Sequence, residues 1–232
     1  MREEEREEIA RTPLLAACRP ETVSFLLKGA FVQRFPAHTR LTREGESADF
    51  LYAILSGAVE LSACWGARET TISVIGPPHT FIVAAVVLDR LYLQSAQTLE
   101  PARILMLPSV SVRQAMSQDA GFAVAIAAEM AIAYRTVAQE LKNQKLRTSL
   151  ERLANWLVHR DKETGGAHRF DIPFEKKVLA ARLGMAPEAL SRAFATLAKF
   201  DVSVDGAHVV VKDWVALEKL ANPYPLIDDE TI

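Results

Sequence analysis

The sequence has few cysteines and no long apolar run, and both absences narrow the class of protein. Cys18 and Cys64 are the two cysteines of the 232 residues, which is too few for a disulfide framework or for a four-cysteine zinc or iron–sulfur site. The longest apolar run, residues 81–88, is too short to cross a bilayer. The chain begins with acidic residues instead of a basic, apolar signal segment. We therefore expect a cytoplasmic protein that does not contact a membrane.

A strong charge of one sign is also missing. The formal net charge is −2, so composition by itself does not indicate a nucleic-acid partner. Half of the residues are hydrophobic, which indicates a globular chain, and its length suffices for two modest domains with a core each. Composition therefore leaves the function open.

The hydrophobic pattern changes period twice along the chain. Residues 4–17 and 20–29 have the pattern of short helices. Residues 31–107 contain short runs rich in Val, Ile, Thr, Phe and Leu, separated by turn signals such as Glu44-Gly45 and Ser56-Gly57. Many short strands at this spacing are typical of a sandwich or barrel, here of the jelly-roll kind. The helical period returns after Pro108.

A long helix with a regular apolar seam is predicted next. Between about residues 121 and 147, apolar side chains recur at steps of four, three, four and four residues: Ile126, Met130, Ala133, Val137 and Leu141. A repeat near 3.5 residues is the spacing that lets one helix pair with another along a seam. Thr148 and Glu151 have the spacing of a capping box, which predicts that a new helix begins there.

The stretch RLGMAPEALSRAF, residues 182–194, interrupts a helix for only a few residues. Gly184 suits a tight turn, and Pro187 suits the first turn of a second helix. The stretch predicts a helix-turn-helix, and the alternative is an ordinary helical hairpin inside a core. The following VSVDGAHVVV alternates around Asp205-Gly206, which is typical of a β-hairpin with a two-residue turn. A hairpin in this place would be a wing.

Together these segments resemble the Crp/Fnr family of transcription regulators over nearly the whole chain. The segment REGESADFLYAILSGAVEL is similar to the family's sensor roll, residues 120–147 to its dimerisation helix, and EALSR to the Glu-x-x-Ser-Arg recognition motif of the Fnr-type branch. The resemblance implies an α+β protein with a jelly-roll sensor domain over residues 1–118, a dimerisation helix over 119–148 and a winged helix-turn-helix domain with a C-terminal tail over 149–232. It also implies a homodimer that binds near-palindromic double-stranded DNA and contacts RNA polymerase.

The resemblance places the base-reading residues in the second helix, at Glu188, Ser191 and Arg192. Their chemistry agrees, since an arginine fork matches guanine O6 and N7, a glutamate accepts from a cytosine amino group, and a serine serves either partner. The alternative is that Glu188 and Arg192 form only an exposed pair on the helix surface. Basic side chains near the helix pair are the expected phosphate contacts: Lys176, Lys177, Arg182 and Lys199.

The chain departs from the family pattern in its DNA-binding half. Ala186 stands where the family has Ser or Thr, whose hydroxyl would cap the second helix. Residues 149–221 contain eleven Lys and Arg against ten Asp and Glu, so the DNA face depends on where the charges lie. The segment KFDVSV also lacks the glycine that many relatives have before the wing.

The chain also departs from the family's cyclic-nucleotide branch. The resemblance places Val83 at the cassette glycine, Ala84 at the ribose-binding glutamate and Gln94 at the phosphate-binding arginine. A buried nucleotide would then have an unpaired phosphate and unpaired hydroxyls, so we predict that cyclic AMP does not bind. The replacements instead predict an apolar effector pocket formed by residues of the cassette and, where that branch contacts adenine, of the long helix: Val83, Ala84, Ala85, Val86, Gln94, Ser95, Val137 and Ala138.

Such a pocket could admit haem, another apolar ligand or no ligand. The candidate haem ligands are His79, His38 and Cys64, and the alternative for each is a solvated side chain. The two cysteines are too few for the iron–sulfur cluster of the Fnr-type oxygen sensor. Three stretches also resemble regulators of the FtrB type, associated with ferrous-iron transport genes, and the lost cassette is shared with haem-dependent nitric-oxide sensors. Neither resemblance identifies the effector.

Three functions remain to be distinguished. The first is a dimeric regulator gated by an effector other than cyclic AMP. The second is a DNA-binding regulator with a vestigial pocket and no ligand. The third is a jelly-roll metal enzyme, which would need two histidines and a carboxylate at facing positions. The predicted roll contains only His38 and His79, without a His-x-His or His-x-Asp spacing, so we expect no enzyme.

Overall fold

A roll of antiparallel strands, a long helix and a small winged domain follow one another in the computed structural model, which describes residues 3–228. Residues 1–2 and 229–232, the outer ends of the first and last predicted segments, lie outside the described residues. The chain forms two compact units, one ending at Ala133 and one beginning at Tyr134. The α+β class predicted from the sequence is confirmed.

The helices and strands alternate in the order expected from the sequence periods. The helices are α1 Glu3–Ala10, α2 Pro13–Ala16, α3 Pro20–Lys28, α4 Val83–Leu88, α5 Ser109–Gln118, α6 Ala120–Leu146, α7 Ser149–Glu163, α8 Lys176–Arg182, α9 Pro187–Leu197, α10 Trp214–Ala221 and α11 Pro225–Asp228. The strands are β1 Phe31–Phe35, β2 Arg40–Thr42, β3 Phe50–Ser56, β4 Val59–Trp65, β5 Arg68–Ile75, β6 Thr80–Phe81, β7 Ser95–Thr98, β8 Ala102–Pro108, β9 Arg169–Asp171, β10 Val202–Asp205 and β11 His208–Val211.

Two four-stranded antiparallel sheets form the roll. One has the strand order β1-β8-β3-β6 and the other β2-β7-β4-β5. Their buried side chains form one core with α3, α4, α5 and the first half of α6. Tyr52 on β3 stacks on Phe81 on β6 with ring centroids 5.0 Å apart, which fixes the strand that leads into α4. The roll thereby holds the effector cassette against its core.

One segment of the roll is a helix, although its residues favour strands. The run VAAVVL, within the segment predicted as strands, forms α4, because Ile82 adopts a left-handed conformation with φ of 65° and ends β6. Val and Ile prefer strands only through side-chain packing, and tertiary contacts override that preference. Here Val86 is buried in the roll core while the Arg113 guanidinium donates to its carbonyl oxygen at 3.0 Å.

The long helix α6 begins at a buried carboxylate. One oxygen of Asp119 accepts from the backbone N–H of Gly121 at 2.9 Å, and the other accepts from that of Arg19 at 2.9 Å. Hydrogen bonds from Thr22 and from these backbone amides hold the pKa of Asp119 below its usual value. The carboxylate satisfies N–H groups that a helix start leaves unpaired, so it both caps α6 and joins it to the start of α3.

The second unit is built on α7, whose start is the predicted capping box. The Thr148 hydroxyl accepts from the Glu151 N–H at 3.3 Å, and the Glu151 carboxylate accepts from the Thr148 N–H at 2.7 Å. The apolar face of α7 packs with α8, α9, α10 and the sheet β10-β11-β9 in a second core. This core holds the helix pair and the hairpin in fixed positions on one scaffold.

Candidate nucleic-acid interface and effector pocket

The helices α8 and α9 form a helix-turn-helix whose turn requires glycine. Gly184 has a φ of +62°, and a Cβ there would lie 2.9 Å from the Gln144 side chain. The left-handed conformation therefore favours glycine, and a Cβ would also require the flexible end of the Gln144 side chain to move. Pro187 is the first residue of α9. Ala186 occupies the N-cap position but forms no side-chain cap, because its methyl group cannot accept a hydrogen bond. The turn predicted from the sequence is thus explained by the left-handed conformation of Gly184 and by Pro187 at the start of α9.

The exposed face of α9 carries the three predicted base-reading residues. Leu190, Ala193 and Leu197 are buried in the core of the second unit, whereas Glu188, Ser191 and Arg192 are exposed on the opposite side. Within residues 3–228, Arg192 forms no ion pair with Glu188. The side chain of Arg192 is therefore open to a partner outside the protein.

The candidate phosphate contacts lie at the two ends of the helix pair. Lys176 and Lys177 are exposed in the first turn of α8, and Lys199 is exposed in the turn that follows α9. The Lys176 ammonium lies over the Phe194 ring, 5.5 Å from its centroid. Arg182, in the last turn of α8, is half-buried. Three of the four predicted cations are thus presented to solvent around α9.

The hairpin after α9 has the predicted form of a wing. Asp205 pairs with His208, so residues 206 and 207 form the two-residue turn, and Gly206 has a φ of +56°. The glycine missing before the wing is replaced by Asp201, which adopts the left-handed conformation with a φ of 56°. Aspartate tolerates this conformation better than most residues. The chain therefore turns into β10 without that glycine.

A buried arginine that the sequence analysis did not single out supports the helix-turn-helix. Arg152 on α7 donates from Nε to the Leu183 carbonyl at 2.8 Å and from Nη1 to the Arg147 carbonyl at 2.8 Å. It also reaches the Gly184 carbonyl at 3.4 Å. In the sequence, the only sign of this role is that a charged residue interrupts the apolar pattern of α7. Arginine is otherwise expected on the protein surface. Arg152 ties the recognition turn to the end of α6.

The predicted effector pocket is filled by its own side chains. Val83, Ala85 and Val86 are buried in the core of the roll, and Ala84 is exposed. Ser95 is buried, and its hydroxyl accepts from the Glu44 N–H at 3.1 Å, while Gln94 is half-buried. Val83 thus packs against the core, whereas Ala84 does not. Val137 and Ala138 lie on α6 in the second unit, exposed and half-buried respectively.

The candidate haem ligands lie on the surface of the roll. His38, His79 and Cys64 are all exposed. Across the described part of the chain, no group of three or more His, Cys, Asp and Glu side chains could hold a metal ion. The other cysteine, Cys18, is half-buried, and burial raises the pKa of its thiol to about 11, so it is a poor thiolate ligand. The three candidate haem ligands lie outside the buried core of the roll.

Comparison with known proteins agrees with this arrangement. A family model described as cyclic nucleotide-binding domain matches residues 32–119, and one described as Crp-like helix-turn-helix domain matches residues 151–220. The chain belongs to the Crp/Fnr family of transcription regulators. Members of this family bind DNA and are not enzymes, so the metal-enzyme hypothesis is excluded. No curated protein sequence matches this Crp/Fnr regulator.

Solved structures show the same fold. A protein from Silicibacter pomeroyi DSS-3 assigned as a cAMP-binding regulatory protein is 25% identical, with a TM-score of 0.61, over 94% of this chain and 100% of that chain. FixK2 from Bradyrhizobium japonicum is 19% identical with a TM-score of 0.72, over 84% and 98% of the two chains. The c-di-GMP responsive regulator CLP from Xanthomonas campestris is 19% identical with a TM-score of 0.72, over 83% and 99%.

The α6 helix of this Crp/Fnr regulator presents a different apolar seam from the one predicted. Ile126 is 1% exposed in the roll core, and Met130 packs against that core, so neither lies on a free face. The outward side instead carries apolar residues at alternating steps of three and four: Val124, Ala127, Ala131, Tyr134, Ala138 and Leu141. All six are exposed except Ala138, which is half-buried. Leu141 belongs to both seams.

The exposed apolar stripe explains why α6 is apolar enough to pass for a membrane span. The helix has 27 residues, and its most apolar 18-residue window has a mean hydropathy of 1.4 with 11% of the window buried. In a Crp/Fnr regulator such a helix does not indicate a membrane protein. Apolar side chains outside the stripe, Ile132 and Val137, are exposed on this helix as well.

A second residue that the sequence analysis did not single out links α6 to the cassette. The Glu129 carboxylate accepts from the Thr80 N–H at 3.2 Å and also from the Thr80 hydroxyl. Thr80 is buried on β6, three residues before α4. A displacement of the cassette would therefore act directly on α6.

Proposed function

We propose that this regulator acts as a homodimer that places α9 of each protomer in the major groove of a near-palindromic DNA site. The observation that carries the proposal is the exposed face of α9, where Glu188, Ser191 and Arg192 lie together and where, within residues 3–228, neither charged side chain forms an ion pair. Arg192 would read guanine through O6 and N7, and Glu188 would accept from a cytosine amino group. Around them, Lys176, Lys177, Lys199 and Arg182 would contact phosphates.

The proposed dimer forms along the exposed apolar stripe of α6. Positions 124, 127, 131, 134, 138 and 141 repeat as the a and d positions of a heptad. Three of the six are alanines, which let two helix backbones approach closely, and Tyr134 and Leu141 supply the larger apolar contacts. Two of the five residues in the seam predicted from the sequence, Ile126 and Met130, pack in the roll core, and this packing favours the exposed stripe as the register of the proposed homodimer.

We propose that the effector, if the regulator has one, is apolar and is not cyclic AMP. Among solved relatives, one is assigned as cAMP-binding and one is c-di-GMP responsive, so the fold alone does not select a ligand. In this chain Val83, Ala84 and Gln94 replace the groups that would pair with ribose and phosphate. Binding would shift a population between two states by moving α4 and β6, and the Thr80–Glu129 hydrogen bonds would carry that movement to α6.

A ligand-independent regulator is the second candidate, and the packing of the cassette favours it. Val83, Ala85 and Val86 are buried in the roll core, so an apolar ligand must displace them to enter. In either case we place the protein in the cytoplasm with DNA and RNA polymerase as partners. An absorbance spectrum of protein expressed with haem supply tests whether haem is the effector. A Soret band whose presence alters DNA retention would support gating by haem. A colourless protein that binds DNA would support an apolar metabolite or no ligand.

The DNA-binding proposal is tested by replacing one side chain. Arg192→Ala should weaken binding to a TTGAT-type palindromic probe by about 5- to 160-fold per half-site, since a bidentate base contact discriminates by roughly 1–3 kcal/mol. Arg68→Ala, an exposed arginine on the sensor roll, is the matched control and should bind as the wild type does. Equal affinity of the wild type for the palindromic probe and for scrambled DNA would refute the proposal.

A further inference from the structure

Phe194 lies on the flank of the recognition helix, next to its DNA-facing side. It is half-buried, and α9 places it about two turns after Pro187 and three residues after Ser191. Its ring face meets the Lys176 ammonium from α8, 5.5 Å from the centroid. An ammonium at this distance is attracted by the ring quadrupole. The two helices of the motif are thus joined at their solvent side by a cation–π contact.

The contact lies in a groove suited to an anion. The groove has a volume of about 260 Å³ and runs between α8, α9 and β10, with Lys176, Lys177, Ser191 and Phe194 among its lining residues. No carboxylate is among the described side chains that line it. Within residues 3–228, the Lys176 ammonium also has no ion pair. Its positive charge is therefore held in place and left uncompensated.

A lysine held in place has an advantage over a free one. A lysine side chain has four rotatable bonds, and fixing it when a ligand binds costs about 0.5–1.5 kcal/mol. The Phe194 ring already restricts Lys176 to one side of α9 in the free protein. Less conformational entropy is therefore lost when Lys176 binds a ligand. Lys177, the neighbour along the chain, has no such ring contact in the described residues. The two adjacent lysines are therefore not equivalent.

We propose that Phe194 is a positioning residue for DNA binding, whose ring holds the Lys176 ammonium beside α9 so that it binds a backbone phosphate flanking the bases read by that helix. The proposal rests on the proposed function and deepens it. It assigns a role to an apolar residue that touches no base, and it makes Lys176 the principal phosphate contact of the groove.

The test measures affinity for the palindromic probe as a function of salt in four proteins: wild type, Lys176→Ala, Phe194→Leu and the double variant. Loss of one phosphate contact per protomer should make the slope of log K against log[salt] less steep by about 1.8 per dimer in Lys176→Ala. Phe194→Leu keeps an apolar side chain but removes the ring, and should weaken binding by about 2- to 13-fold per protomer with a change of slope in the same direction. Phe194→Leu should have no further effect once Lys176 is absent.

Two controls separate positioning from folding. Phe194→Tyr keeps the ring face and should bind with the wild-type salt slope. Lys219→Ala removes an exposed lysine on α10 and should leave the slope unchanged. A merely structural role for Phe194 would appear as a lower melting temperature and weaker binding at every salt concentration with the wild-type slope, and that result would overturn the inference. So would additive effects of the two substitutions.

The outcomes also distinguish this inference from the function on which it rests. If Arg192→Ala abolishes specific binding while Lys176→Ala and Phe194→Leu bind normally, the inference fails and the DNA-binding proposal stands. If the wild type binds palindromic and scrambled DNA equally, the proposed function fails, and the inference fails with it.

Discussion

At the scale of single residues, the recognition helix lacks one stabilising group that its geometry would accept. Ala186 adopts the extended conformation of an N-cap, with φ of −71° and ψ of 152°, but it has no side-chain oxygen. The first N–H groups of α9 therefore have no side-chain cap at this position. The sequence alone indicated this deficit, because the alanine stands directly before a proline that opens a helix.

Ala186→Ser should raise the free energy of unfolding by about 1 kcal/mol, since a serine hydroxyl at this position can accept from an N–H of the first turn. Thermal or urea denaturation followed by circular dichroism measures the change. Ala195→Ser, at an exposed position inside the same helix, is the matched control and should be neutral or slightly destabilising. Equal effects of the two substitutions would show that no cap forms at residue 186.

At the scale of elements, the C-terminal helix α11 is fastened to the end of α6 by a nearly buried ion pair. Arg147 binds Asp228 through both nitrogens, at 2.6 and 2.5 Å, with side chains 7% and 12% exposed. His159 lies 4.0 Å from the same carboxylate and adds to the attraction when protonated. Burial alone would raise the pKa of Asp228, but the hydrogen bonds from Arg147 outweigh it and the pKa lies below the usual value.

Asp228→Asn should therefore destabilise the second unit in a pH-dependent way. A carboxyl whose pKa is lower in the folded protein stabilises the fold above its unfolded pKa, and this stabilisation is lost as the pH falls below about 4. At pH 7 we expect a loss of about 1.5–3 kcal/mol, which shrinks towards pH 3. Denaturation across this pH range measures it, with the exposed Asp205→Asn as control. A loss that does not change with pH would contradict the account.

The register of the α6 seam shows what a sequence pattern can and cannot reveal about an element. The existence of the helix, its length and its 3.5-residue repeat were predicted from spacing alone. Two apolar rows on α6 satisfy that spacing: the seam predicted from the sequence and the exposed stripe. Only the packing of Ile126 into the roll core shows that the first of these rows contributes to the core of the protomer. The same limit applied to α4, which lies within the segment predicted to contain short strands.

The two rows predict different dimers, which a matched pair of substitutions separates. Ala131 belongs to the exposed stripe alone and Ala133 to the seam predicted from the sequence alone, and both are exposed on the same helix. Ala131→Glu should dissociate the dimer by placing two like charges at the seam, whereas Ala133→Glu should remain dimeric. Sedimentation equilibrium measures the outcome. Dissociation of Ala133→Glu with a dimeric Ala131→Glu would restore the original seam.

At the scale of the whole molecule, the sequence predicted the order of the parts better than the state of the pocket. Gly184, Pro187 and Gly206 stand where the local backbone favours these residue types, so the helix-turn-helix and the wing could be predicted from the sequence. The hairpin turn itself is formed by residues 206 and 207, one residue later than the Asp205-Gly206 signal. The closed packing of Val83 and Val86 depends on side chains that are distant in the chain, and the supporting roles of Arg152 and Glu129 depend on hydrogen bonds across elements. Such contacts leave no local pattern.

The central claim is that the protein reads DNA as a symmetric dimer through α9. The most direct measurement is selection of bound sequences from a pool of random double-stranded DNA by the wild-type protein. The account predicts enrichment of two inverted half-sites whose centres lie about 10–10.5 base pairs apart, one helical turn of DNA. Enrichment of a single unpaired half-site, or no enrichment over the starting pool, would contradict it.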